Sequence, residues 1–489
     1  MKKNSNTEKV IKGISSQTLV TLFVGIVEIL YFSIMSRLLS REDFGFFAVI
    51  SAVTVIFSSI SEAGIGAALI QRKDMSDEYK NTAFTLSLLI GIVIALLMCA
   101  SSGIIAQTIM NDMTLQVPLM LMSVTIIFQG LISINLSWMQ RHLLFLRAGL
   151  VRLSSLVVSS FVAIYLAWKG YGFYAILVRA ILSAFLLLTI SYLFVGTKFK
   201  FCLKRKYTNS IVSYGGWLTA SVIIRNFAQQ TDRLLMSRLL SVSALGAYNR
   251  PKEFISHIAS HLNGIFDTAL FPVLSSIQDN KQSLRNAFNT SQYFMNMFAM
   301  FLALSFMCNS YLFIRIFLGG QWLDLNTIFI ILSLSVVFNV NGRLGDCYLR
   351  SLALVKQQTG FRIFQLVVNV LAMLIGYRWG VVGVAVSFVI ASFINIFFKT
   401  IYISLKLEIP VAYTLGNVFG SWRYVAFFIP LLIIENMMTN HSLSTNIIFA
   451  VVYAIISIML FVCFPQLVGN MYKEEVYTKI RGKLLARKN

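Results

Sequence analysis

Apolar runs of membrane-crossing length recur along the whole chain, separated by short polar and basic segments. A helix needs about 20 residues to cross a hydrocarbon core, and roughly fourteen runs meet that length. The first six lie near 15–37, 45–70, 82–107, 115–138, 149–168 and 172–196. After the basic segment 197–210, six more lie near 211–237, 245–274, 287–312, 326–348, 360–378 and 381–405, and two follow near 422–438 and 446–468. The pattern predicts an all-α polytopic membrane protein of about 14 transmembrane helices. The loops are too short to fold as a soluble domain, so any chemistry must take place within the membrane. The first run is long and carries Glu28 without a small-residue cleavage site, so it reads as a retained span and not a cleaved leader.

The pattern also repeats. Met35–Ala48 reads MSRLLSREDFGFFA and Met236–Asn249 reads MSRLLSVSALGAYN, with Gly45 and Gly246 in register. Ala68-Leu69 then falls on Ala269-Leu270 without a gap. An even number of spans per copy keeps both copies in one orientation, as in parallel-repeat transporters. The expected organisation is two pseudo-symmetric six-helix lobes around a central cavity: an N-lobe at 1–196, a basic cytoplasmic linker at 197–210 and a C-lobe at 211–406. Two C-terminal helices at 407–470 and a basic cytoplasmic tail at 471–489 complete the chain. Val476, Ile480 and Leu484 fit an amphipathic helix on an anionic leaflet; a frayed, solvated tail fits equally.

Composition sharpens this reading. Of 489 residues, 57% are hydrophobic and only 12% charged, about half the charge of a soluble domain. That excludes an ordinary soluble enzyme and a disordered chain. The net charge is +22, but the basic residues punctuate the apolar runs instead of forming a patch, which argues against nucleic acid. With the N-terminus inside, 29 Lys and Arg fall in cytoplasmic segments and 6 in outer loops. The positive-inside rule therefore puts both termini in the cytoplasm. The five cysteines show neither metal spacing nor a disulfide framework.

Ionisable groups inside a span cost about 2.5–3.5 kcal/mol or more, so they face a cavity or a partner. Gln17 and Glu28 share a face of the first span, and Glu62 ends a polar stripe on the second. Arg225, Gln229 and Asp232 follow i, i+4, i+7 on the seventh. On the eighth lie Arg250, Lys252, Glu253, His257, His261 and Asn263; on the tenth lie Asn339, Arg343, Asp346 and Arg350. These groups fit two uses. They can line a hydrated cavity, or they can simply pair, as Arg225 with Asp232 and Arg343 with Asp346. His257 and His261 have a metal-ligand spacing but no acidic or Cys third ligand, so no metal is expected. There is no P-loop and no hydrolase motif, so no cofactor is expected and any energy must come from an ion gradient or the membrane potential. Arg41-Glu42-Asp43 reads as a turn between helices, not a catalytic loop.

RLLSREDFGFFA (Arg37–Ala48), AALIQRKD (Ala67–Asp74) and TDRLLMSRLLSVSALGAYNR (Thr231–Arg250) resemble the bacterial polysaccharide-transporter family of oligosaccharide flippases. This is the colanic-acid and O-antigen exporter type within the multidrug/oligosaccharidyl-lipid/polysaccharide superfamily. The resemblance implies a protein that carries undecaprenyl-pyrophosphate-linked oligosaccharides from the inner to the outer leaflet of the bacterial cytoplasmic membrane by alternating access. It also implies an H+ or Na+ coupling ion, surrounding membrane lipids and polymerase partners. Two C-terminal helices beyond the lobes are a feature of related lipid II flippases.

On this reading Arg225, Arg250, Lys252 and Arg343 neutralise pyrophosphate. Gln17, Gln229, His257, His261, Asn263 and Asn339 offer further cavity contacts, and Glu28, Glu62 and Asp232 serve ion coupling. The alternatives are a multidrug or cation antiporter or a lipid II flippase of the same superfamily, and a membrane polymerase or glycosyltransferase.

Overall fold

The structure is a computed structural model, and it describes residues 2–62, 64–71, 76–110, 112–142, 144–195, 200–420, 425–437 and 442–463. The tail at 471–489 and the start of the linker at 197–210 lie outside them. Among the described residues there is no strand. A lipid-embedded backbone requires this, because helices satisfy their own N–H and C=O groups where water cannot.

The chain divides into two compact units, Met1–Asn249 and Arg250–Asn489. In the first unit lie α1 (Lys2–Leu38), α2 (Arg41–Glu62), α3 (Ile65–Gln71), α4 (Asp77–Ile105), α5 (Gln116–Arg141), α6 (Phe145–Trp168), α7 (Phe173–Val195) and α8 (Arg205–Leu239). The unit boundary falls inside α9 (Val242–Ser276). The second unit continues with α10 (Lys281–Cys308), α11 (Ser310–Phe313), α12 (Asn326–Ser351), α13 (Val355–Gly376), α14 (Gly380–Lys406), α15 (Val411–Gly420), α16 (Val425–Met437) and α17 (Leu443–Cys463).

Among the described residues ten segments are long and apolar enough to cross a membrane, and one of them, Val355–Lys406, holds both α13 and α14. α8 and α9, at 35 residues each, are long enough but too polar to qualify. These two helices carry the stripes that stand out in the sequence, from Arg225 to Asp232 and from Arg250 to Asn263. The run expected as one span at 45–70 is instead two helices. The backbone breaks at Gly64 with φ +91°, which glycine adopts without strain, and α3 begins at Ile65.

In the first unit α5 packs against α2, α3, α4 and α7. Ile65, Leu69, Tyr79, Ala83, Ile134 and Ile211 form a core that joins α3, α4, α5 and α8. In the second unit α12 is the buried centre, flanked by α10 and α14. Inside it Asn341 Nδ2 donates to Asn296 Oδ1 at 3.0 Å, and Asn296 Nδ2 donates to the carbonyl of Val418. One polar ladder thus ties α12, α10 and α15 together where water is absent.

The internal repeat appears as matched geometry within the first unit. α1 ends at Leu38 and α2 begins at Arg41; α8 ends at Leu239 and α9 begins at Val242, the same spacing at the offset of the repeat. Met35 and Met236 are both fully buried. Ser40 accepts from the N–H of Asp43 at 3.2 Å, and its mate Ser241 accepts from the N–H of Ala244 at 3.1 Å. Each serine caps the helix that follows it.

The two glycines explain each other. A Cβ on Gly45 would land on the carbonyl oxygen of Val242, and one on Gly246 would land on the carbonyl oxygen of Arg41. The starts of α2 and α9 therefore cross at backbone contact, each glycine lying under the first residue of the other helix. Small residues at helix crossings are what membrane packing favours. Gly246→Ala should lower the thermal unfolding midpoint of the purified protein, at an overpacking cost of about 1–3 kcal/mol. Gly360→Ala, inside α13 where a Cβ meets open space, should not lower it and should raise it slightly through helix propensity.

Candidate functional site

The polar groups of the spans fall into separate constellations in each unit. In the first, Asp232 is buried on α8, and its Oδ2 accepts from the Tyr248 hydroxyl at 3.1 Å. The other carboxylate oxygen accepts from the Arg233 backbone N–H at 3.0 Å, and Arg233 Nη1 donates to Gln230 Oε1 at 3.1 Å. Half-buried Arg225 donates through Nε to Asn226 at 3.3 Å, and Gln229 is exposed one turn further on. α8 thus presents Arg225 and Gln229 outward while Asp232 is drawn inward onto the base of α9.

Glu28 is half-buried on α1. One turn along, Tyr31 stacks under the guanidinium of Arg179, 3.8 Å from the ring centroid, and Arg179 Nε donates to Ser160 at 3.2 Å. A cation inside a span is made tolerable here by an aromatic face and a hydroxyl. Asp43 is occupied with structure. It accepts from Ser40 Oγ at 2.7 Å and from the N–H of Phe173 at 2.8 Å, so it fastens the α1–α2 turn to the start of α7. The side chains of Gln17, Glu62, His261 and Asn263 lie outside the described residues.

In the second unit Arg250 is almost fully buried and approaches Glu253 at 3.4 Å, while Lys252 lies 4.0 Å over the ring of Phe388. His257 is exposed on the same helix. Among the described residues no group of three or more His, Cys, Asp or Glu side chains is placed to hold a metal ion.

α12 carries the most asymmetric surface. Most of the helix is buried, but Asn339, Arg343 and Arg350 are exposed along one face. Asp346, on the same face, pairs with Lys399 of α14 at 2.9 Å and not with Arg343. Arg362 of α13 lies close enough to feel Asp346, Arg350 and Arg343 electrostatically. Four cations thus gather around one carboxylate. Arg343 and Arg350 are the members the stripe arithmetic selects. Arg362 and Lys399 escape it because each sits near one end of its own span, where a basic residue reads as a topology signal. Only their arrival beside α12 marks them as part of the cluster.

The Lys399–Asp346 pair is mostly shielded, so removing Asp346 strands Lys399. That costs about 3–5 kcal/mol when burial is complete, and about 2 here because Asp346 keeps a 23% exposed side chain. Asp346→Asn should lower the unfolding midpoint, and adding Lys399→Met should restore most of the loss. A double-mutant cycle by thermal unfolding in detergent checks this.

The profile of the family described as "Polysaccharide biosynthesis protein" matches residues 34–327. The chain is 24% identical over 401 residues to the lipopolysaccharide biosynthesis protein WzxC of Escherichia coli K12, covering 79% of each. It is 23% identical over 347 residues to the teichuronic acid biosynthesis protein TuaB of Bacillus subtilis 168, covering 69% of this chain and 71% of the relative. Among solved structures, the lipid II flippase MurJ in an inward closed conformation superposes with a TM-score of 0.72 at 15% identity, over 91% of this chain and 98% of MurJ. An inward-facing MATE multidrug transporter of the MOP superfamily gives 0.60 at 13% identity, over 80% and 98%.

Proposed function

Because the chain belongs to the polysaccharide biosynthesis protein family, we propose that it is a flippase for lipid-linked oligosaccharides that feeds surface polysaccharide assembly. It is a multi-pass membrane transporter and not an enzyme, with the fold shared by MurJ and the MATE transporters. The cargo in this reading is an oligosaccharide repeat unit on undecaprenyl pyrophosphate. It crosses from the inner to the outer leaflet of the bacterial cytoplasmic membrane by alternating access, with both chain termini in the cytoplasm.

One observation carries the choice of an anionic cargo: Arg343, Arg350, Arg362 and Lys399 gather around Asp346 on and beside an otherwise buried helix. A lipid pyrophosphate cannot enter hydrocarbon unaided, and guanidinium groups meet phosphate oxygens with paired, charge-assisted hydrogen bonds. Arg225, Arg250 and Lys252 add positive charge from α8 and α9. Gln17, Gln229, His257, His261, Asn263 and Asn339 are the groups assigned to sugar hydroxyls. Glu28, Glu62 and Asp232 are the carboxylates assigned to coupling by H+ or Na+, Asp232 through the hydrogen bond that it would release from Tyr248. The same excess of cations weighs against a cationic drug as cargo, despite the MATE-like fold.

A deletion strain tests the proposal. Complete repeat units should accumulate on undecaprenyl carriers, protected from an externally added glycosidase, and surface polymer should disappear. Re-expressed Arg225→Ala or Arg343→Ala should insert normally in the membrane and fail to restore polymer. Unchanged lipid-linked glycans and unchanged polymer in a host without a second exporter would overturn the reading. Units that reach the outer leaflet but stay unpolymerised would assign the protein to polymerisation instead.

A further inference from the structure

The last two helices, outside the repeat, enclose a polar layer that none of the groups above uses. α16 and α17 pack against α10 in a register fixed by three aromatic rings. Phe428 of α16 lies 5.0 Å from Tyr453 of α17, and Tyr453 lies 5.9 Å from Phe301 of α10, donating its hydroxyl to the Phe301 carbonyl at 3.1 Å. Seven residues are two helical turns and return to the same face. Moving two turns up α10 and α16, and two turns back along antiparallel α17, leads from Phe301, Phe428 and Tyr453 to Cys308, Glu435 and Asn446.

Contacts along this path tie the end of α10 to α16. Cys308 Sγ reaches the Phe428 carbonyl at 3.9 Å, and Glu435 Oε1 accepts from the N–H of Tyr311, just past the end of α10, at 3.4 Å. Ser310 and Cys308 both lie within interaction range of the Glu435 carboxyl.

The layer is dry and unsatisfied. Glu435 is 3% exposed, Asn446 3%, Asn309 4% and Ser310 0%. Glu435 Oε2, Asn309 Oδ1, Ser310 Oγ and Asn446 Nδ2 all lack a hydrogen-bond partner among the described residues. Buried polar atoms are almost always satisfied, and orphans on Glu435 and on Asn309 and Ser310 of the segment packed against it mark an occupant. The groups facing Glu435 are the Cys308 thiol, the Tyr311 backbone and Ser310; no basic side chain pairs with it among the described residues. A lone carboxylate there carries a full negative charge out of water, which is prohibitively costly without a counter-charge.

We propose that this layer binds one monovalent cation, a proton or a sodium ion, centred on Glu435. Three of the orphan atoms are oxygens, the donors that a hard cation takes. A proton on Oε2 would instead turn an orphan acceptor into a donor facing Asn309 Oδ1 or Ser310 Oγ. Either occupant neutralises the charge and fastens α16 and α17 to α10. The site is a property of the folded chain, and its test does not depend on what the protein exports.

The test uses the purified full-length chain in nanodiscs. Its unfolding midpoint is followed against Na+ at constant pH and ionic strength, with choline as the replacement cation, and against pH without Na+. A sodium site should raise the wild-type midpoint by about 2–4 °C for each kcal/mol of binding linkage. A proton site should ignore Na+ and lose stability as pH rises, because the folded state then holds a proton that the unfolded chain has released. Glu435→Gln, a neutral isostere, should abolish whichever response is found.

A second measurement covers a variant that does not fold. A hydrophobic carbodiimide, which modifies protonated buried carboxyls, should label wild-type Glu435 at neutral pH in Na+-free buffer, as read by mass spectrometry. Added Na+ should suppress the label for a sodium site, and alkaline pH for a proton site. Midpoints of wild type and Glu435→Gln that respond identically to Na+ and pH would overturn the proposal, as would absence of label at neutral pH.

Discussion

The constraint on which everything else rests is the cost of leaving a polar group unpaired in hydrocarbon. It forces the backbone into helices, since a lipid-embedded strand edge has no partner. It also governs the charged side chains, each of which the structure accommodates by a specific device. Arg179 lies over Tyr31, Lys252 over Phe388, Lys399 pairs with Asp346, and Asp232 takes a buried tyrosine hydroxyl. Each device is local and costs conformational entropy to hold. A chain that keeps so many of them is using the charges for something other than stability.

The same constraint separates the two kinds of helix. α4, α6 and α7 are apolar around most of their circumference and need only pack. α8, α9 and α12 divide into a face that packs and a face that carries ions. For α12 that division is sharp: Tyr348 and Leu349 are buried to the last atom, while Arg350, the next residue, is exposed. In a transporter, the exposed face of such a helix is where a charged cargo can be met without the protein itself paying to bury the charge.

The crossing of α2 and α9 shows how a repeat becomes structure. The serine caps at Ser40 and Ser241 stop and restart the helices at equivalent places, and the glycines at Gly45 and Gly246 let the restarted helices touch. MSRLLS thus acts as a folding signal, with a buried methionine, a helix end and a cap in fixed order. This explains why that stretch stays alike in both copies while the rest of the repeat has drifted.

Sequence alone determined the helical class, the membrane setting, the repeat and its glycine register, because each depends on patterns within one segment or on a direct match between two. It also placed Arg225, Asp232, Arg250 and Arg343 on helices that stand out as polar. Tertiary structure decided what those residues meet. It gave Asp346 to Lys399, 53 residues away, and not to Arg343 one turn away on its own helix. It brought Arg362 to the same face, broke the second span at Gly64, and set Glu435 against Ser310 and Tyr311. Helical periodicity says which side chains share a face. Which faces meet is settled by packing among helices far apart in the chain, and no single segment carries that information.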